Sequence, residues 1–372
     1  MPVPAKRPRL LVVGGFLGAG KTTALVRLAR SFHDEGLRVG LITNDQAAGL
    51  VDTGTIRVQG FRVEEVAGAC FCCKFDDLAA AAERIRIEES PDVLLGEPVG
   101  SCTDLAATVV APFRKLHGER FSVAPYSVLV DPARAREIVA ERGSGGFSAK
   151  VAYVFRKQLE EADVLGLNKV DALAPSEREL LLGALAQAFP RAQVIATSGL
   201  TGEGFGRWRE LLAEGRPAGK NVVDVDYDLY AAGEAELGWL NLSTSIAAER
   251  PFDGDAFVRD LTREIAADLR AKQVEIAHLK VLLGGERAAA VANATDSRGE
   301  ARLSRSFGAP VATADLIVNA RVHVDPAELR ATVEARLART LDRFGLAPRP
   351  VVAAHFRPGR PVPTHRFTRA EA

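Results

Sequence analysis

The most constraining feature of the sequence is a glycine-rich loop between a short apolar run and a helical pattern. The run LLVV at residues 10–13 is followed by GFLGAGKT at residues 15–22. An amphipathic pattern then continues to Gly36 and gives way to a second apolar run, VGLIT. A strand, a loop of the form G-x-x-x-x-G-K-[ST] and a helix in this order are typical of a phosphate-binding loop. The sequence therefore predicts an α/β domain built around a nucleotide.

Each residue type in this loop has a physical role in holding phosphate. Glycines let the backbone wrap closely around the phosphates, and the N–H groups and the helix dipole supply positive potential. Lys21 is expected to reach the β- and γ-phosphates and to act in catalysis, while the Thr22 hydroxyl is expected to bind Mg²⁺. The predicted nucleotide contacts in the loop are Gly15, Gly18, Ala19, Gly20, Lys21, Thr22 and Thr23.

Apolar runs and helical patterns alternate along the first part of the chain. This alternation predicts a mostly parallel sheet wrapped by helices on both faces, that is, a P-loop NTPase G domain over residues 1–214. The stretch GRPAGKN at 215–221 reads as a linker. Longer strand-like runs and two amphipathic helices over 222–350 predict a smaller α+β domain, of ferredoxin-like type. Residues 351–372, rich in Pro and Arg, are expected to form an extended tail.

A second motif, NKVD at residues 168–171, follows the strand-like run ADVLGL. In P-loop G proteins such a tetrapeptide recognises guanine, because the Asp carboxylate accepts hydrogen bonds from the N–H groups of the base. The motif predicts GTP rather than ATP, with Asn168, Lys169 and Asp171 at the base. Ser198, in the loop after QVIA, is expected to lie behind the base. The alternative is a polar strand end at which Asp171 caps a helix.

Two acidic residues end further strands of the same domain. Glu97 opens the segment EPVG, which follows the run DVLL, and Asp45 ends the second strand. Ligands bind at the carboxyl edge of open α/β sheets, so Glu97 and Asp45 are expected to hold Mg²⁺ or to position the attacking water. Gly100 is expected to approach the γ-phosphate. The alternatives are a turn at residues 97–100 and a capping role for Asp45.

All four cysteines of the chain lie in the loops beside these acidic segments. Cys70, Cys72 and Cys73 form a CxCC motif, and Cys102 follows EPVG closely. This confinement favours function over inert packing, and thiolates suit Zn²⁺ or another thiophilic ion such as Co²⁺. Because adjacent side chains point in different directions, only one of Cys72 and Cys73 is expected to join Cys70 and Cys102. A redox role is the lesser alternative, since a disulfide within CxCC would be strained.

Composition excludes several classes of protein. With 48 basic and 48 acidic residues the net charge is zero, which argues against a nucleic-acid partner. No apolar run approaches the roughly 20 residues that span a bilayer, so no membrane partner is expected. Four cysteines in 372 residues are too few for a disulfide framework. A cytoplasmic protein is therefore predicted.

On these residues the chain resembles the CobW-type metallochaperone GTPases, relatives of the hydrogenase and urease nickel-insertion G proteins. The resemblance lies in GGFLGAGKTT at 14–23, the CxCC motif, the ExxG at 97–100, and Gln158-Leu159 and Ala162-Asp163 before NKVD. It implies a GTPase whose metal binding is coupled to the nucleotide state and which delivers metal to a client metalloprotein. A second hypothesis, also for a G protein, is a chaperone for cobalamin synthesis or for a cofactor-dependent enzyme. Many such proteins form dimers.

The chain departs from the family pattern at several positions. The stretch after the second strand keeps Asp45 and Asp52 but loses other carboxylates, Ala69 replaces a common glycine, and Cys102 is an additional thiol. No histidine-rich tract is present, so bulk metal storage is not expected. An alternative from another class is an ATP-dependent kinase whose cysteines only hold a structural zinc.

Overall fold

The structure is a computed structural model that describes residues 7–45, 61–139, 148–213, 215, 218–285, 288–295, 301–347 and 349–371. The chain divides into two compact units. Among the described residues, the first unit contains those up to Asp45, Phe61–Gly233 and those from Arg360 onward, and the second unit contains those within Glu234–Gly359. No helix in the described ranges is long and apolar enough to cross a membrane.

The first unit alternates strands and helices, as the sequence predicts. Its strands are β1 (Arg9–Gly15), β2 (Val39–Asp45), β3 (Arg62–Ala67), β4 (Val93–Glu97), β5 (Ser122–Val123), β6 (Ser127–Val130), β7 (Val164–Leu167) and β8 (Gln193–Ala196). Its helices are α1 (Lys21–His33), α2 (Phe75–Glu89), α3 (Ala111–His117), α4 (Pro132–Val139), α5 (Ala149–Glu160), α6 (Pro175–Ala188), α7 (Phe205–Ala213) and α8 (Tyr227–Ala235), the last of which ends just inside the second unit. A π-helical turn, Ala106–Val110, leads into α3.

The strands of the first unit form one parallel sheet in the order β3-β2-β4-β1-β6-β7-β8, with the short β5 also beside β1. The central strand β1 is apolar on both faces, and Leu10, Leu11 and Val13 are fully buried. A parallel sheet covered on both faces needs such continuous apolar strands. Because parallel strands end at one edge, the segments after β1, β2, β4, β7 and β8 meet there. The predicted P-loop fold is confirmed.

The second unit is built around an antiparallel sheet. Its elements are β9 (Gly238–Phe252), α9 (Gly254–Ala271), β10 (Ile276–Gly284), β11 (Ala289–Ala294), β12 (Arg302–Arg305), β13 (Val311–Val322), α10 (Pro326–Arg343) and β14 (Val352–Phe356). The strand order is β12-β11-β10-β13-β9-β14. Without the β11–β12 pair, this is the βαββαβ order of the ferredoxin-like fold. The predicted α+β region is therefore confirmed, with one added pair of strands.

The helices α9 and α10 pack their apolar faces into one core. Phe257, Leu261 and Ile265 of α9 recur every four residues and are fully buried, and Leu329 and Val333 of α10 join them. This spacing places apolar side chains on one helix face, which must cover an apolar sheet face. The Asp253 and Asp325 side chains cap the two helices by accepting hydrogen bonds from backbone N–H groups.

Two features of this architecture differ from the sequence-based organisation. The stretch 352–356, assigned to a tail, forms β14 and pairs with β9. The first unit also extends beyond the segment 215–221, because that segment is bonded to it. Gly219 N donates to Asp163 Oδ2 at 2.7 Å, and Asn221 Nδ2 donates to Ala162 O at 2.6 Å. The described residues 218–221 of the stretch predicted to be a linker are thus bonded to the first unit, just before β7.

Candidate functional site

The phosphate-binding loop joins β1 to α1 in the conformation that its motif predicts. Gly20 has φ 88°, and a Cβ atom there would lie 2.6 Å from Asn168 Nδ2, so only glycine fits. Lys21 is buried, and its Nζ donates to Gly15 O at 2.9 Å and Phe16 O at 3.3 Å. The first N–H groups of α1 and this ammonium group make an anion-binding site. The residues present fit a nucleotide phosphate chain.

A hydroxyl and a carboxylate meet beside this loop. Thr22 Oγ1 donates to Glu97 Oε1 at 2.9 Å, and both side chains are buried. Oxygen ligands of this kind are the ones that Mg²⁺ prefers. Asp45 ends β2, which pairs with β4 so that Thr43 lies opposite Glu97. The side chain of Asp45 lies outside the described part of the structure.

Gly100 packs directly on the loop. A Cβ atom at Gly100 would lie 2.9 Å from both Lys21 Nζ and Leu17 Cδ2. The absence of a side chain is therefore what allows the segment 97–100 to approach the P-loop lysine. The sequence predicted that Gly100 approaches the γ-phosphate; the structure shows Gly100 against Lys21, the residue expected to reach that phosphate, and the contact with phosphate itself stays a prediction.

The residues predicted to contact guanine gather at the ends of β7 and β8. Asn168 Nδ2 donates to Ala19 O at 2.8 Å, and its Oδ1 accepts from Gly199 N at 3.0 Å, so one side chain ties both loops together. Ser198 Oγ donates to Asp171 Oδ1 at 2.5 Å. Lys169 adopts φ 59°, and an added Cβ on Gly20 would lie 3.7 Å from its Cε. The motif thus lies against the phosphate loop.

Arg27 also contributes to this region, although the sequence analysis did not predict a role for it. Its Nε donates to Gly199 O at 2.7 Å, and its Nη2 donates to Leu200 O. Since Arg27 belongs to α1, these bonds attach the loop after β8 to the same helix that carries Lys21 and Thr22. A single arginine on a helix carries no motif that could have identified it.

Three thiols form a compact cluster after β3. The Sγ separations are 2.8 Å for Cys70–Cys72, 3.3 Å for Cys70–Cys73 and 3.8 Å for Cys72–Cys73. Around a tetrahedral Zn²⁺ with Zn–S bonds of about 2.3 Å, thiolates lie about 3.8 Å apart. The three thiols therefore need to spread by no more than about 1 Å to bind such an ion. This donor set could hold a thiophilic metal.

Cys102 joins the cluster from a different segment of the chain. Its thiol hydrogen-bonds to the thiols of Cys70 and Cys72. Cys70, Cys72 and Cys102 are buried, whereas Cys73 is half-buried. Cys102 thus lies beside Cys70 and Cys72, whereas in the described ranges the set of thiols that all lie within 4.8 Å of one another consists of Cys70, Cys72 and Cys73.

One expectation about these cysteines is wrong. Cys72 and Cys73 do not diverge, because the motif folds into a tight turn in which Cys73 N and Lys74 N both donate to Cys70 O, at 3.0 and 2.9 Å. This turn brings both thiols to the Cys70 thiol. Spacing along the sequence could not show this, since the outcome depends on the backbone angles of the turn.

The pKa values of the three CxCC thiols are shifted in different directions. Hydrogen bonds from Cys102, Cys72 and Cys73 lower the pKa of Cys70 far below its usual value. The hydrogen bond with Cys102 raises the pKa of Cys72 well above its usual value, and the bond with Cys70 raises that of Cys73 to about 11. A bound divalent cation would replace these protons, since metal binding to thiols releases them.

Asn44 holds the cysteine loop in place and was not assigned this role from sequence. Its Nδ2 donates to Val66 O at 2.8 Å and to Ala69 O at 2.7 Å, and its Oδ1 accepts from Phe71 N at 2.7 Å. The side chain of Asn44 thus satisfies three backbone groups on both sides of Gly68. Its position at the end of β2, beside Asp45, was the one available signal.

Gln158 links the cysteine cluster to the phosphate side. This fully buried side chain of α5 donates from Nε2 to Gly100 O at 2.9 Å and to Cys102 O at 2.8 Å. Gly100 lies against Lys21, and Cys102 belongs to the thiol cluster. One amide group therefore fixes the positions of both ends of the short segment that separates the two sites.

Comparisons with known proteins identify the family of the chain. Residues 9–196 match the family model described as CobW/HypB/UreG, nucleotide-binding domain. The chain is 26% identical over 180 residues to the zinc chaperone YeiR of Escherichia coli (strain K12), covering 46% of this chain and 50% of YeiR. It is 23% identical over 216 residues to the zinc-regulated GTPase metalloprotein activator 1 of Dictyostelium discoideum, covering 50% and 45%. The chain spans about half the length of the curated relatives it matches.

Solved structures give a weaker similarity. The hydrogenase maturation factor HypB from Archaeoglobus fulgidus aligns with a TM-score of 0.39 at 20% identity, over 56% of this chain and 90% of HypB. Zn(II)-bound YjiA GTPase from E. coli aligns with a TM-score of 0.36 at 17% identity, over 88% and 98%. The fold assignment therefore rests on strand order and on the geometry of the phosphate loop.

Proposed function

This chain belongs to the CobW/HypB/UreG family, and we propose that it is a GTP-hydrolysing metallochaperone whose cysteine site responds to the bound nucleotide. The observation that carries the proposal is the pair of hydrogen bonds from Gln158 to Gly100 O and Cys102 O. The two sites are joined by three chain positions and one buried amide. A displacement of Gly100 is therefore expected to displace Cys102 through the short stretch of main chain that joins them.

The nucleotide is proposed to be GTP. The Asp171 carboxylate, which accepts from Ser198, is proposed to accept hydrogen bonds from the N–H groups of guanine. Asn168 supports this arrangement by joining the base loops to the phosphate loop. Adenine carries no N–H groups in the matching positions, so a carboxylate there would be left without donors.

Hydrolysis is proposed to be mainly electrostatic. Lys21 and the N–H groups of the loop stabilise the charge that develops on the phosphate oxygens. Thr22 and Glu97 would hold Mg²⁺, which supplies further positive charge at the β- and γ-phosphates. Glu97 or Asp45 would position the attacking water. Slow intrinsic turnover is expected until metal or a client protein completes the site.

The cargo is proposed to be Zn²⁺ or a similar thiophilic ion such as Co²⁺. The three thiols of the CxCC motif lie within 4.8 Å of one another, and the buried Cys102 thiol hydrogen-bonds to two of them. The curated relatives named above are a zinc chaperone and a zinc-regulated GTPase metalloprotein activator. The receiver is proposed to be a metalloprotein or a cofactor enzyme, and a homodimer is the proposed assembly.

The coupling is proposed to begin at Lys21. In the described structure its ammonium group donates to the loop carbonyls of Gly15 and Phe16. A γ-phosphate would compete for this ammonium group, and Gly100 lies in direct contact with it. Any displacement of Gly100 is passed to Cys102 through the segment that Gln158 holds.

The proposal is tested by titrating Co²⁺ into the protein with GDP and with a non-hydrolysable GTP analogue. Thiolate-to-cobalt absorption reports occupancy of the cysteine site. We expect the affinity to differ between the two nucleotide states by about 5- to 150-fold, the usual range of coupling between sites. Equal affinities in both states would contradict the coupling.

A double substitution, Cys70→Ser with Cys102→Ser, tests the ligand set itself. We expect Co²⁺ affinity to fall at least about 100-fold, beyond the 10- to 100-fold typical of residues that only support ligands. Thr103→Ser is the matched control, because it keeps the hydroxyl that donates to Glu161 and leaves the thiols intact. GTP affinity should be unchanged in both variants. Unchanged metal affinity in the double variant would rule out Cys70 and Cys102 as metal ligands.

A further inference from the structure

The C-terminal segment of residues 360–371, called here the C-terminal strap, lies on the cysteine cluster. Val362 N donates to Cys73 Sγ at 3.3 Å. Thr364 N donates to Cys72 O at 2.9 Å, and Thr364 Oγ1 donates to Cys73 O at 3.3 Å. The strap therefore binds the outermost thiol directly and binds the main chain of two of the cysteines.

The strap is anchored a second time, beside the other cysteine segment. Arg366 Nε donates to Asp104 Oδ2 at 2.7 Å, and Arg366 Nη2 donates to Val223 O at 3.0 Å. The side chain of Asp104 is only 1% exposed and follows Cys102 by two positions. Phe367 N also donates to Ala107 O at 2.9 Å. The strap thus connects the CxCC turn to the segment that carries Cys102.

Buried polar contacts of this kind are specific. A buried carboxylate needs a partner, and Asp104 has both Arg366 and the hydroxyl of Tyr227, which donates to Oδ2 at 2.7 Å. An aromatic contact adds to them, since the rings of His365 and Phe75 meet edge to face at 5.0 Å. A solvated tail would make none of these contacts, so the strap is an integral, packed part of the first unit.

The position of the strap has a consequence for a bound ion. Cys73 is the half-buried thiol of the cluster, and an acceptor that takes the ion must approach it from the exposed side. The Val362 N–H group donates to the Cys73 sulfur in an exposed hydrogen bond, so the strap contacts the one thiol of the CxCC motif that is not buried. Hydrogen bonds to ligand atoms orient the ligands and change metal affinity by about 10- to 100-fold.

We propose that the C-terminal strap is a positioning element of the metal site, held by Arg366, and that it controls how fast the ion leaves. With the strap seated, Val362 holds Cys73 in the ligand set and the ion exchanges slowly. With the strap released, Cys73 turns away and the ion passes to an acceptor. The inference rests on the proposed function, because it requires that the cysteine cluster binds metal.

The test loads the full chain with Zn²⁺ and follows transfer of the ion to a chromogenic chelator by stopped flow. Arg366→Gln removes the charge that holds the strap, and we expect transfer to become about 10-fold faster or more. Arg360→Gln is the matched control. It lies in the same strap, but its partner Asp228 is 85% exposed, so its transfer rate should stay within about two-fold of wild type.

Two further variants separate positioning from loss of fold. Arg366→Gln leaves Asp104 buried without its cation, which by itself destabilises the unit. Arg366→Gln combined with Asp104→Asn removes both charges and should release the ion as fast as the single variant while GTP affinity stays at the wild-type value. A chain ending at Gly359 should also be fast, and a peptide of residues 360–372 added in excess should restore slow transfer.

Each outcome decides between the two proposals. If the wild-type chain binds no Zn²⁺, the proposed function and the strap inference both fail. If it binds Zn²⁺ and the Arg366→Gln and shortened chains release the ion at the wild-type rate, only the strap inference fails. If those chains release it faster and the peptide rescues the shortened one, the strap inference holds even where the nucleotide has no effect on affinity.

Discussion

The first unit has two functional regions along one sheet edge, and they are built in different ways. The nucleotide side follows β1, β7 and β8, and its contacts lie within short contiguous motifs, residues 15–23, 168–171 and 197–199. The cysteine side follows β2, β3 and β4 and draws on widely separated segments. Its thiols depend on Asn44, on Gln158 and on the C-terminal strap.

The difference follows from what each ligand requires. A phosphate chain is bound by backbone N–H groups of one loop and one helix start, so a single motif supplies most of the site. A metal ion needs several side-chain ligands converging at fixed distances, and supporting contacts that orient them. The two regions should therefore fail independently when one residue is changed, except at the segment that joins them.

The largest effect is expected from Lys21→Ala. This change removes the buried ammonium group at the phosphates, and we expect kcat for GTP hydrolysis to fall by about 100- to 1000-fold, as for other groups that stabilise transition-state charge. Phosphate release under saturating GTP measures it. Zn²⁺ affinity without nucleotide should not change, since the thiols do not depend on Lys21.

Lys115→Ala is the matched control, because Lys115 is exposed on α3. It should leave both activities unchanged. A loss of nucleotide-free Zn²⁺ binding in Lys21→Ala would show that the two regions are not independent.

The next effect is expected from Asp171→Asn. Replacing the carboxylate with an amide removes an acceptor for the guanine N–H groups, and GTP affinity should fall about 10- to 100-fold, as for a hydrogen bond to a charged group. Because xanthine presents an oxygen where guanine presents an amino group, XTP affinity should rise. Competition against a fluorescent GDP measures both. A chain that binds ATP as well as GTP before the change would contradict the guanine assignment.

A smaller effect is expected from Gln158→Leu, at the junction of the two regions. It removes both hydrogen bonds of the Gln158 amide and keeps a buried side chain of similar size. The ratio of Co²⁺ affinities between the GDP and GTP-analogue states should shrink about five-fold. Gln187→Leu, at an exposed position of α6, is the control and should keep the ratio. An unchanged ratio in Gln158→Leu would place the coupling elsewhere.

The smallest effect concerns pH. Burial raises the pKa of Glu161 well above the ordinary value of 4.5, and Glu161 accepts from Ala106 N, just beyond Cys102. The folded state therefore holds a proton that the unfolded chain loses above about pH 4.5. Unfolding free energy should fall as pH rises above that value, by at most about 1.4 kcal/mol per pH unit from this group.

Glu161→Gln should flatten this dependence, and urea unfolding at several pH values measures it. Glu160→Gln, which changes the neighbouring carboxylate paired with Lys157, is the control and should keep the wild-type slope. Equal slopes in the wild type and Glu161→Gln would mean that Glu161 does not contribute.

Much of the nucleotide side could be predicted because its signals are local. The spacing within residues 15–22 and within NKVD already placed Lys21, Thr22, Asn168 and Asp171 at one sheet edge, given a parallel sheet. The four cysteines were also identified together, from their confinement to two loops. The prediction that the Cys72 and Cys73 side chains diverge was wrong. Side-chain direction in a tight turn depends on backbone angles, which spacing along the sequence does not encode.

By itself, the sequence determined the phosphate loop, the parallel sheet around it and the identity of the four thiols, because local spacing and apolar periodicity decide these features. Only the tertiary structure decided that Asn44 supports the cysteine turn, that Gln158 joins it to Gly100, and that the C-terminal strap returns to Cys73. These contacts join residues as many as 291 positions apart. Contacts at that separation depend on how the whole unit packs, and no short pattern along the chain specifies them.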